Sequence, residues 1–223
     1  MKKTFSVHHA LFATLSIAGL LTMSGCNKKE STVSPAPPGN ETLSTVELVY
    51  QNTANTADTG RAIWRQLDLT GVKPADTSLA KISLKANATY NVQVVILDEV
   101  SDAPNVAQVT PEILQRENYH LFFFQPTPVA PGNLVISNTT PYIPVEDGTV
   151  TSPTGPYLNL SVARTDLDTN NPPLQIGLQD KFTTATASTG SLRMVLRHQP
   201  NAKNGTYAPG STDLDVNYQV TIQ

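Results

Sequence analysis

Cysteine is almost missing from this chain of 223 residues: Cys26 is the only one. A lone thiol excludes an internal disulfide, so Cys26 must have some other use. Clustered basic residues are missing as well. Lys and Arg number 15 against 18 Asp and Glu, and apart from Lys2-Lys3 and Lys28-Lys29 they are scattered, which argues against a nucleic-acid-binding surface. Beyond residue 26 no run approaches the roughly 20 apolar residues that a membrane-spanning helix requires. Catalytic signatures are equally scarce. The chain has no Gly-x-Ser-x-Gly, no His-Glu-x-x-His and no Gly-rich phosphate loop, and beyond His8 and His9 its only histidines are His120 and His198. The expectation is a non-enzymatic protein with no catalytic residue, no bound metal and no cofactor.

What is present begins at the N-terminus. Residues 1–25 carry Lys2 and Lys3, then an apolar run centred on Leu11–Leu21, then small residues, the pattern of a secretory signal. The ending "MSGC" sets Ser24 and Gly25 before Cys26 and matches the lipobox of bacterial lipoproteins, whose cysteine is acylated after cleavage. Each buried methylene of such chains adds about 0.8 kcal/mol, so several acyl chains hold a protein to a membrane without a transmembrane helix. Cys26 is therefore the expected lipidation site. Residues 26–43, polar and proline-bearing, read as a flexible tether of about 25 Å. Asn27 takes the place of the aspartate that marks inner-membrane retention in enteric bacteria, so the expected location is the outer membrane. Loss of residues 1–25 removes two lysines and no acid, leaving 13 basic and 18 acidic residues and a net charge of −5.

Residues 44–223 fit one domain. Of the chain's 17 prolines, 14 fall here, between runs of alternating polarity. The clearest is "DLDVNYQVTI", where Leu214, Val216, Tyr218, Val220 and Ile222 alternate with polar residues, a period of two that marks a strand with one buried face. "SLRMVLRH" (191–198) alternates likewise. Further strands are expected at 174–178, 158–164, 133–137, 119–124, 90–97, 79–84, 61–67 and 44–50. Short strands separated by turn residues predict an all-β, immunoglobulin-like β-sandwich of eight to ten strands. One short helix is expected near 110–118, with Thr110 as N-cap, Pro111 at the first helical position and Glu112 in the first turn. Residues 199–213, polar and about 15 long, are expected to form a surface loop. The three phenylalanines of "HLFFF" cannot share one strand face, so one share should meet the opposite sheet and the other the helix. Trp64 is expected in the core.

Two further features bear on binding. "TDLDTN" (165–170) and "TDLDVN" (212–217) both read Asp-x-Asp-x-Asn, the way many calcium loops begin. The first copy lacks the glycine and acid that would complete an EF-hand, having Asn171 and Gly177 there, and leaves a looser calcium turn at Asp166, Asp168 and Asn170. In the second copy the acids follow the strand period and belong to a wet face, because successive same-face side chains are nearly 7 Å apart. His120 and His198 admit a different idea, a haem held between two imidazoles.

The segments "LKANATYNVQVVILDE", "VTPEILQRENYHLFFF", "GSLRMVLRHQPN" and "STDLDVNYQVTI" together resemble a group of small β-rich lipoproteins of Bacteroidetes, over most of residues 44–223. Members of that group commonly lie beside genes for TonB-dependent outer-membrane receptors. The resemblance implies an envelope location, a role in nutrient capture and an outer-membrane receptor as partner. The leading expectation is a lipid-anchored binding or accessory module. The alternatives are a calcium-stabilised structural or adhesive sandwich and a haem-binding lipoprotein.

Overall fold

The computed structural model describes residues 42–101, 103–130, 141–144 and 155–223. Cys26, the expected signal, most of the tether and the expected strand at 133–137 lie outside these. The described strands are β1 (Thr45–Asn52), β2 (Thr59–Arg65), β3 (Lys81–Leu84), β4 (Thr89–Asp98), β5 (Ala107–Gln108), β6 (His120–Thr127), β7 (Leu160–Arg164), β8 (Gln179–Thr184), β9 (Ser188–His198) and β10 (Ser211–Ile222). Among the described residues a single helical element, α1 (Thr110–Gln115), precedes β6. One sheet has the order β2-β1-β4-β8-β7 with β5 also on β4, and the second has the order β3-β10-β9-β6. The protein is thus an all-β sandwich, as the alternating runs predict.

Period-two sequences build this arrangement directly. In β10, Leu214, Val216, Tyr218, Val220 and Ile222 are buried while Asp215, Asn217, Gln219 and Thr221 are exposed. They meet Val46, Leu48, Tyr90, Val92, Val94 and Ile96 from the other sheet in one core cluster. Each large apolar side chain buried there contributes about 1.5–3 kcal/mol. The hydroxyl of Tyr218 donates to the Val46 carbonyl at 3.0 Å, so the polar end of a fully buried ring is satisfied across the sandwich. Trp64 packs against this core, half-buried.

Three local expectations need correction. Leu174–Leu178 is not a regular strand. The Ile176 carbonyl accepts from Phe122 N–H of β6 at 2.8 Å, and the Leu178 carbonyl accepts from Val94 N–H of β4 at 2.9 Å, so the segment passes from one sheet to the other. The regular strand is the next six residues, β8. Two of its three inward positions are the polar Asp180 and Thr184, which hide the alternation. The helix starts after Val109, not Thr110. The Thr110 hydroxyl is occupied by β4, accepting from Ile96 N–H at 2.8 Å, and caps no helical N–H.

The phenylalanine run does split between faces, with Phe122 and Phe124 in the main core. Phe123, however, joins a second cluster of Leu121, Ile143 and Val195 covered by Tyr207, whose ring meets it edge-on at 5.1 Å; the helix instead sends Ile113 into the main core. Tyr207 belongs to the connection expected to be a plain surface loop. That connection is fastened down. The Arg197 guanidinium donates to the carbonyls of Pro209 and Gly210 and stands 4.8 Å over the Tyr207 ring. Gln199, fully buried, donates to the carbonyls of Thr206 and Pro209. The rest of the connection is nevertheless exposed or half-buried, as expected of a surface loop, and Gln199 is its buried anchor, satisfying backbone carbonyls.

Candidate functional site

At one end of the second sheet, three side chains from three strands converge. His120 opens β6 and His198 closes β9, and the two are directly opposed in the antiparallel ladder. Both have the parity of the buried residues that follow or precede them, Phe122 and Leu196, so both imidazoles turn inward. His120 is 1% exposed and His198 6%. Asp213 comes from β10, where simple alternation with Leu214 would turn it outward. The ladder pairs Thr212 with Arg197 and Leu214 with Leu196, leaving Asp213 as the extra, unpaired residue of a β-bulge. Bulges re-aim side chains, and this one brings the Asp213 carboxylate back over the histidines.

The distances are short. His198 Nδ1 lies 3.0 Å from His120 Nε2, and Asp213 Oδ2 lies 3.3 Å from His198 Nδ1 and 3.8 Å from His120 Nε2. The imidazole rings are 4.9 Å apart at 62°, and Tyr119 meets His198 edge-on. His120 Nδ1 is 3.1 Å from the Arg116 carbonyl, just after α1. A carbonyl can only accept, so Nδ1 carries the proton and the Nε2 lone pair faces the cluster. Burial, reinforced by the neighbouring His198, pushes the His120 pKa down to about 4, so its ring is neutral near pH 7. Burial raises the Asp213 carboxyl pKa against the opposing pull of His198 and Arg197. Their donor atoms all lie within 4.8 Å of one another, and three side chains of metal-ligating type so placed can share protons or hold a cation.

The two Asp-x-Asp-x-Asn copies follow the roles expected of them only in part. In the first, Asp166 accepts from the N–H groups of Gly177, Leu178 and Gln179 at 2.7, 2.9 and 3.2 Å, fixing the segment that crosses between sheets. Asp168 accepts from Asn170 and Leu174 N–H and from Lys203 Nζ at 2.7 Å, and Asn170 itself donates to Asp168. The carboxylate oxygens that a calcium turn would use at Asp166 and Asp168 are therefore committed to protein donors, and Asn170 serves as one of those donors. In the second copy, Asp215 does lie on the wet face, paired with Arg193. Asp213 does not, because the bulge breaks the period. The haem expectation also meets a geometric correction: His120 and His198 touch each other, which leaves no room between them for a planar macrocycle.

Sequence alone could not bring these three residues together. His120 and His198 are 78 positions apart and become neighbours only through strand register. The one local hint was that each stands at a strand terminus. The fold places the chain among β-sandwich proteins. Comparison with protein-family models, curated proteins and solved structures returned no match.

Proposed function

We propose that the chain is a lipid-anchored binding module of the bacterial outer membrane, non-enzymatic and accessory to a TonB-dependent transport system. The observation that carries this reading is the lipobox: Ser24-Gly25 precedes the sole cysteine, behind an apolar signal and ahead of a polar tether. Residues 26–43 would link the acylated Cys26 to a sandwich whose first strand starts at Thr45. The resemblance to Bacteroidetes lipoproteins supports a receptor partner. Fractionation of cells expressing the wild-type chain and Cys26→Ser tests the anchor. The wild type should partition with outer membranes and incorporate labelled palmitate, and Cys26→Ser should do neither. Equal membrane retention of both would refute the anchor. Cross-linking in native membranes should recover a TonB-dependent receptor, and its reproducible absence would count against the transport role.

A further inference from the structure

We propose that His120, His198 and Asp213 form a binding site for one first-row divalent transition-metal cation, with zinc the ion that the geometry fits. Zinc bonds of about 2.0–2.1 Å in a tetrahedron place any two ligand atoms about 3.3 Å apart. The three separations here, 3.0, 3.3 and 3.8 Å, bracket that value. An ion could sit within bonding distance of all three atoms with only small side-chain movements. A donor set of two imidazoles and one carboxylate suits zinc and its first-row neighbours. Calcium and magnesium, which take six or more oxygens, do not match it.

The surroundings are those of a built site. Each ligand comes from a different strand of one sheet, so hydrogen-bonded backbone holds the triangle in place. The Arg116 carbonyl fixes His120 through Nδ1, the outer-shell partner that orients a ligating imidazole and directs Nε2 to the ion. Asp213 is placed by a bulge, a local irregularity that costs one unpaired residue in the ladder, and its ion-pair contacts are the two imidazoles. Its side chain is 19% exposed against 2% and 8% for the histidines. An ion would therefore enter past Asp213, with water completing the fourth position on that side. The site would cross-link β6, β9 and β10 where the sheet ends. It does not depend on lipid anchoring, and its test is separate.

The test uses the full chain without a polyhistidine tag, purified in detergent and stripped with chelator. Calorimetric titration with zinc should give one ion per chain. Asp213→Asn preserves shape but removes the charge, and it should weaken zinc binding by at least about 10–100-fold, as His198→Gln should. Cobalt substituted for zinc should show the intense visible bands of tetrahedral coordination, a readout made on the wild type and independent of whether any variant folds. Three results would each overturn the proposal: no zinc uptake by the wild type, unchanged affinity in a folded Asp213→Asn or His198→Gln chain, or a cobalt spectrum typical of the hydrated ion.

Discussion

Replacing Lys203 with methionine should destabilise the protein by about 3 kcal/mol, far more than the loss of an ordinary surface lysine. Lys203 Nζ lies 2.7 Å from Asp168 Oδ2, with the two side chains 1% and 0% exposed, and it also donates to the Glu117 carbonyl at 2.8 Å. Breaking a buried ion pair from one side costs about 3–5 kcal/mol because the remaining charge stays buried without its partner. The lower end applies here, since Asp168 keeps the N–H groups of Asn170 and Leu174. Urea unfolding followed by Trp64 fluorescence would measure the change. For about 180 residues the corresponding drop in Tm is roughly 6–12 °C.

The effect should also depend on pH with a definite sign. Burial raises the Asp168 carboxyl pKa, but the Leu174 N–H, Lys203 and the Asn170 N–H together outweigh it and leave the pKa below its ordinary value. A carboxylate with a depressed folded pKa contributes stability that is present above its unfolded pKa, about 3.9, and is lost as pH falls through the folded value. In the Lys203→Met protein the stranded carboxylate protonates more readily. The gap between wild type and variant should be widest near neutrality and should narrow below about pH 4. A loss under about 1 kcal/mol at pH 7, or a gap that widens in acid, would show that the pair is solvated and that residues 199–210 are not held by it.

Asp166→Asn should cost about 1–3 kcal/mol in the same assay, because a neutral amide cannot accept three N–H bonds as a carboxylate does. Gly177→Ala should cost about 2–4 kcal/mol. Gly177 sits at φ +91°, and an added Cβ would lie 2.8 Å from Phe122 Cβ, so both backbone strain and overpacking contribute. By contrast, Arg193→Ala should change stability by less than about 1 kcal/mol despite its two-point contact with Asp215, because both side chains are about two-fifths exposed. Equal effects for Arg193→Ala and Lys203→Met would undermine the distinction between surface and buried pairs.

Strands whose inward positions were apolar were legible from sequence. β10, β9 and β4 announce themselves by alternation, and Phe122 and Phe124 could only be core. β8 was missed because Asp180 and Thr184 fill two of its inward positions, and period alone treats buried polar residues as wet. The connection at 199–210 is, apart from Gln199, an exposed or half-buried loop, as its polarity suggests. What composition did not show is that Gln199 and the Lys203 side chain are tucked in, the one satisfying backbone carbonyls and the other a buried carboxylate. Composition records polarity but not the partner that makes burial affordable.

Hydrophobic period by itself determined that this chain folds as a β-sandwich, since alternation at two residues per repeat leaves one face of each strand seeking a partner sheet. The motif at Cys26 similarly carries its expectation in consecutive residues. The candidate site was decided only by tertiary structure. His120 and His198 meet through a ladder register set by all the residues between their ends, and Asp213 joins them through a single bulge. A shift of one position turns a strand's side chain to the opposite face, and whether it occurs is settled by the pairing of β9 with β10, which no local stretch of sequence encodes.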